Sequence, residues 1–202
     1  MILTNDTEVH GGLYVDQTGV FSNNLIVVTG SGPTEGGGVW QINSSNNAKR
    51  LVNLTNTHLE GVITLTNSLA KWGPWAGKIL TGAEEMHAIF AIATNGLVTT
   101  NFLGIDPEDF DVIPANQNLY GCDPDVNSIL KLSSVYFTNF VGDLLITEAG
   151  EINHPSKLFI VHWDAPTASF IKHTLTYRRA DGSDGHFEHV TFAPLDLPFI
   201  AP

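Results

Sequence analysis

Thr57-His58-Leu59-Glu60-Gly61-Val62-Ile63-Thr64-Leu65 sets an acidic side chain at the mouth of a short apolar run. Three other stretches share that design: Val9-His10-Gly11-Gly12-Leu13-Tyr14-Val15, Pro107-Glu108-Asp109-Phe110-Asp111-Val112-Ile113 and Phe187-Glu188-His189-Val190-Thr191-Phe192. Aligned on their apolar runs, they put His10, Glu60, Glu108 and Glu188 at one position. The steps between them are 50, 48 and 80 residues, the last being two steps of 40. A repeat of about forty to fifty residues built from short strands is the sequence sign of a β-propeller. In such a fold the inner strand of every blade lines one channel, so equivalent positions meet although they are far apart in the chain.

Working outward, the flanking segments supply the remaining strands. Val9 to Val15, Leu25 to Thr29, Val39 to Ile42 and Lys49 to Leu54 make a first blade, with a glycine-rich loop from Gly30 to Gly38. The continuous run Leu25-Ile26-Val27-Val28 fits a buried middle strand, and Val39-Trp40-Gln41-Ile42 alternates as a half-exposed strand does. Glu60 to Leu65, Lys78 to Gly82, His87 to Ala93 and Leu97 to Phe102 make a second, with Thr94-Asn95-Gly96 as the tight turn. Glu108 to Ile113, Asn118 to Cys122 and Ser128 to Leu132 read as a shorter third blade. Asp143 to Thr147, Lys157 to Trp163 and Phe170 to Tyr177 follow, and Glu188 to Phe192 is a terminal inner strand. Ser133 to Phe140 reads either as a fourth strand of blade three or as a connection carrying a fifth inner strand. The expectation is an all-β fold, a small β-propeller of five blades with some incomplete, in a single domain over residues 1–202. The terminal strand is expected beside the N-terminal one, because ring closure removes exposed edges.

Composition narrows the partners. The chain has 202 residues, 43% hydrophobic and 15% charged, a globular balance. Nine Lys and Arg stand against 21 Asp and Glu, for a net charge of −12. That charge argues against nucleic acid, whose phosphates need a basic footprint, and against an anionic membrane surface. No apolar run reaches the length of a membrane span. A cation or a small neutral ligand is the partner this charge welcomes, and a monomer is expected. Cys122 is the single cysteine, so neither an intrachain disulfide nor a multi-thiolate metal site can form. Residues 1–6 carry no basic or apolar leader pattern, and the low Lys content suits a secreted or periplasmic bacterial protein.

His58-Leu59-Glu60-Gly61-Val62, Gly73-Pro74-Trp75-Ala76-Gly77-Lys78-Ile79-Leu80 and Val141-Gly142-Asp143-Leu144-Leu145-Ile146-Thr147-Glu148 resemble repeats of bacterial propeller enzymes. The family is that of gluconolactonases and paraoxonase-type lactonases, including short metagenome-derived hydrolases of N-acyl-homoserine lactones. The resemblance runs from about Val9 to Pro194. It implies a calcium-dependent hydrolase that opens a small-molecule lactone ring. The aligned set here is one histidine and three glutamates, where that family mixes Glu, Asn and Asp.

The residues themselves point to similar chemistry. Carboxylates forced together in one channel repel each other, and either a proton or a divalent cation relieves the repulsion. Calcium takes oxygen donors, mono- or bidentate, together with water. Glu60, Glu108 and Glu188 therefore form the candidate Ca2+ site. Glu148, forty residues from both Glu108 and Glu188, is a fourth candidate ligand. His10, His58 and His189 flank the same strand mouths and, with Asp109, are candidates for proton transfer to and from an attacking water. A zinc site from the same histidines ranks lower, because no HExxH-type pair is present. Trp72, Pro74 and Trp75 either line an acyl or sugar pocket or close a long loop. The competing function is a non-catalytic secreted propeller, a binding module whose channel holds a structural cation.

Overall fold

The computed structural model describes residues 11–30, 37–54, 57–150, 156–176, 178–179, 181–183, 185–187 and 189–194. The protein is all-β, and two of its sheets are four-stranded antiparallel meanders. Strands β1 (Leu13–Val15), β2 (Leu25–Val28), β3 (Gly37–Ile42) and β4 (Ala48–Leu54) form one four-stranded sheet in chain order. Strands β5 (Glu60–Thr64), β6 (Ile79–Ala83), β7 (Ala88–Ile92) and β8 (Val98–Asn101) form a second. These two sheets match the expected first and second blades. Burial follows the sequence pattern. Strand β6 is buried throughout, as is the unbroken apolar run of β7, whereas β8 exposes Thr99 and Thr100 between two half-buried ends.

The second half differs from expectation in three ways. Strand β9 (Asp109–Val112) does not head the expected third blade. It is the edge of a sheet whose order is β14 (Ser169–Thr176), β13 (Lys157–Asp164), β12 (Leu144–Glu148), β9. Strands β10 (Gln117–Asp123) and β11 (Ser128–Leu132) take as their partner the last strand, β15 (Val190–Pro194). Gly121 pairs with Val190 and Gln117 with Pro194. The terminal strand thus pairs with β10 rather than with β1, and the two later sheets exchange their edge strands. Finally, the described residues hold four sheets, not five.

The segment expected to supply a fifth inner strand, Ser134–Phe140, is a 3₁₀-helix. Its residues favour strands, yet strand propensity yields to packing context. Ser133 Oγ accepts a hydrogen bond from Val135 N, and Asn118 Oδ1 accepts one from Ser134 N. Phe137 is buried and Phe140 packs on the same core three residues later, a helical spacing, while Val135 and Tyr136 face solvent.

The chain divides into two compact units, Met1–Phe110 with His162–Ile171, and Asp111–Val161 with Lys172–Pro202. The first is centred on Phe21, Ile26, Val28, Val39, Leu59, Val62, Ile79 and Phe90. Asp16 ties its two sheets together. Its carboxylate accepts hydrogen bonds from Thr18 Oγ1 and Thr64 Oγ1, both at 2.7 Å, and from the backbone of Thr18, Phe21 and Asn23. Trp72 and Trp75 are buried in this unit, and Trp75 stacks on Phe170 with ring centroids 3.8 Å apart. The aromatic cluster therefore closes its loop against the core. The second unit is centred on Ile113, Leu119, Phe137, Leu145, Leu158, Ile160 and Phe187. In it, Arg179 grips Asp123 with two hydrogen bonds of 2.7 Å, and its guanidinium also reaches Asp125 at 3.0 Å.

Candidate carboxylate site

Glu60 opens β5, at the edge of its sheet. Directly after it the strand bulges: Glu60 pairs with Gly82 and Val62 with Thr81, so Gly61 is the extra residue. Gly61 has φ of 51°, a left-handed conformation that favours glycine. Thr81 Oγ1 donates to the Glu60 carbonyl across the bulge, at 3.2 Å. A bulge re-aims the side chain beside it, here Glu60.

Two other acidic segments close on that point. Strand β6 ends at Ala83, and the chain turns at once into the 3₁₀ turn Glu84–Met86. The segment 106–108 approaches from the other side, close enough that a Cβ on Gly82 would lie 2.1 Å from the Pro107 carbonyl oxygen. Glycine at 82 is what lets these backbones touch. The result is a cluster of Glu60, Glu84 and Glu108 in which one carboxylate oxygen from each lies within 4.8 Å of the others.

The electrostatics are unfavourable for three free carboxylates. Glu108 is 7% exposed. Burial first, and then the neighbouring Glu60 and Glu84 carboxylates, push its carboxyl up to about 10. Glu60 Oε2 is buried and has no hydrogen-bond partner, although its other oxygen lies 3.2 Å from His58 Nε2. A buried acceptor without a donor is costly. It invites either a proton shared with a neighbouring carboxyl or a bound cation.

A His–Asp pair flanks the cluster on the same two segments. His87 Nδ1 lies 2.5 Å from Asp106 Oδ1. Thus residues 84 and 108 meet, and so do 87 and 106. His87 ends the 3₁₀ turn in a left-handed conformation, φ 53°. An imidazole held at Nδ1 by a carboxylate has its Nε2 set for proton transfer.

Of the residues singled out from sequence, the fold brings Glu60, Glu108 and His58 together. Asp109, adjacent to Glu108, accepts at Oδ1 from the Phe110 backbone N–H. Glu148 ends β12 in the second unit and forms an ion pair with Lys157. His189 is exposed just before β15. His10 and Glu188 lie outside the described residues. Glu84, His87 and Asp106 were not singled out. Glu84 and His87 sit in a turn rather than at a strand mouth, so the repeat does not align them; their i, i+3 spacing on one tight turn is the signal that finds them.

No protein-family model matches this chain, and no curated protein matches it. Among solved structures, the chain is similar to a catalytically inactive virginiamycin B lyase from Staphylococcus aureus with quinupristin. That match has 11% identity and a TM-score of 0.43, covering 88% of this chain. The chain spans 59% of the length of that protein.

Proposed function

We propose that Glu60, Glu84 and Glu108 hold a divalent cation, and that the protein is a hydrolase that opens lactone rings at that centre. The observation that carries the cation is the buried, unpartnered Oε2 of Glu60 inside a trio of converging carboxylates. The donor set is all oxygen, with neither thiolate nor imidazole inside the trio, which suits calcium better than zinc. Three carboxylates leave coordination positions for water and substrate, since calcium takes about 6–8 oxygens. The lactone part, with N-acyl-homoserine lactones as the substrate class, rests on the resemblance carried by the strand repeats.

When bound, the cation supplies Lewis acidity to an ester carbonyl oxygen. The chain's own groups supply the rest. His58, with Nε2 3.2 Å from Glu60 Oε1, and His87, oriented by Asp106, are the proton carriers at the rim of the cluster. One imidazole nitrogen takes a proton from water as its oxygen adds to the acyl carbon. The ring C–O bond then breaks, and the proton passes to the departing alkoxide oxygen. The product is an open-chain hydroxy acid. Glu108 is nearly buried, and its part is to hold the cation.

The test is a lactone panel assayed with calcium and after chelation, on wild type and on Glu60→Gln, with calcium binding measured in parallel by calorimetry. Turnover lost both on chelation and in the variant is the expected result. Chelator-indifferent turnover removes the cation from the reaction. Calcium binding with no turnover of any lactone leaves the cation-holding, non-catalytic module.

A further inference from the structure

Far along the chain from the carboxylate cluster, the second unit contains a cavity of about 410 Å³. This is within the range of about 300–1,000 Å³ in which small-molecule sites fall. Its floor is Phe137 and Leu158, both buried members of that unit's hydrophobic core. Leu175 from β14 and the outward-facing Tyr136 of the 3₁₀-helix form walls. Thr176 and Arg178, at and beyond the end of β14, form part of the rim. Among the described residues, none of the lining side chains is acidic. In a chain with 21 acidic and nine basic residues, an apolar recess whose described lining includes an arginine is a departure from the average surface.

We propose that this recess binds a medium-chain carboxylate, a molecule with one apolar tail and one anionic head. The tail fits the floor of Phe137 and Leu158, where burying each methylene stabilises the complex by about 0.8 kcal/mol. The head meets Arg178, whose planar fork of five N–H donors takes a carboxylate through two parallel hydrogen bonds and retains donors for other partners. The Thr176 hydroxyl adds a donor on the same rim. A cationic amphiphile is disfavoured by the guanidinium, and a wholly apolar ligand leaves the polar rim unused. This site is independent of the carboxylate cluster and of any cation there.

Titration calorimetry with sodium octanoate, and with 1-octanol as the uncharged molecule of equal chain length, tests the assignment on the full chain. Octanoate is expected to bind one per chain with submillimolar affinity, and octanol at least about tenfold more weakly, as expected for a charge-assisted contact. Arg178→Ala weakens octanoate by about the same factor and leaves octanol unchanged, while Arg178→Lys retains part of the affinity. Thr176→Trp fills the recess from an exposed position and abolishes both, with an unaltered circular dichroism spectrum as the check on folding. The proposal is overturned if octanoate gives no saturable heat at millimolar concentration. It is equally overturned if acid and alcohol bind alike, or if Arg178→Ala leaves octanoate affinity unchanged.

Discussion

A side-chain carbon placed on Gly61 would lie 2.4 Å from the carbonyl oxygen of Glu108. The glycine in the bulge and the acid before β9 are therefore one construction. The missing side chain lets the 107–109 segment settle against β5, and that approach brings the Glu108 carboxyl to Glu60 and Glu84.

Gly61→Ala should disturb this construction at its base. It forces an L-residue into a left-handed conformation, costing about 1–2 kcal/mol, and it displaces a backbone carbonyl as well. A loss of at least about 2 kcal/mol is expected. At about 2–4 °C per kcal/mol for a chain of this size, the midpoint falls by about 4–8 °C. Thermal melts with and without calcium check it: the variant should also lose most of the calcium-induced shift, whereas a surface Ala such as one at Ser45 should lose none.

The buried acid predicts an unusual pH dependence for the cation-free protein. Glu108 is held up to about 10, against an ordinary value of 4.5. Across that window the folded chain keeps a proton that the unfolded chain has lost, so stability falls as pH rises. The slope from one such group is at most about 1.4 kcal/mol per pH unit. Asp16 and Asp123 act oppositely. Burial raises the Asp16 carboxyl, but its hydrogen bonds from Thr18, Thr64 and Phe21 together hold it below its ordinary 3.8. The Arg179 hydrogen bonds hold Asp123 below 3.8 against the effect of its burial. Their contribution is present above 3.8 and is lost as pH falls through their lowered values. Together these groups place the maximum of cation-free stability at about pH 4–5. Urea denaturation from pH 4 to 9 measures it, and Glu108→Gln should flatten the alkaline limb and be more stable than wild type at pH 8.

Calcium should reverse that alkaline loss. The cation displaces the Glu108 proton, so its apparent affinity rises with pH, by at most about tenfold per unit. At a free concentration of a hundred times the dissociation constant, binding stabilises the fold by about 2.7 kcal/mol. Glu84→Gln should remove most of this gain, and by relieving the repulsion on Glu108 it should also soften the alkaline loss of the cation-free protein. Calorimetry in two buffers of different ionisation enthalpy counts the released proton directly.

Much of this arrangement was legible in the chain. Glu60 and Glu108 stand before apolar strand runs, and the repeat aligns them. The meanders of β1–β4 and β5–β8 follow from runs such as Leu25 to Val28 and from the turn at Asn95-Gly96. Glu84 escaped because a 3₁₀ turn carries no strand alternation. Glu148 fits the forty-residue spacing, yet that spacing carries no information about Lys157 standing across the ladder. The exchange of β9 and β15 was not legible because pairing partners are chosen by non-local packing, not by local propensity. The 80-residue step from Glu108 to Glu188 runs from β9 to β14 with β10 and β11 interleaved, rather than through two simple repeats.

The Arg179 clamp gives a test in the second unit. Asp123 is 1% exposed and takes both of its short hydrogen bonds from one guanidinium. Removing that partner leaves a buried carboxylate with backbone donors but without its guanidinium, which is strongly destabilising. Arg179→Ala should lower the melting midpoint by several degrees. The loss should shrink below pH 3.8, where an Asp123 carboxyl without its partner becomes protonated. Arg179→Lys should recover only part, because an ammonium cannot reproduce the two-pronged grip.

The exchanged edge strands also set a timetable for synthesis. Every strand of the first two sheets has left the ribosome once Asn101 is clear of the exit tunnel, so each can close from a contiguous piece of chain. The sheet of β9 must wait for β14, about sixty residues after it began, and the sheet of β10 and β11 must wait for β15 at the far end. Until then β10 presents an unpaired edge, the kind of surface that recruits other chains. Rapid translation through β15, or a chaperone that covers β10 in the interval, therefore bears on the yield of the sheet of β10 and β11 and hardly at all on the first two sheets.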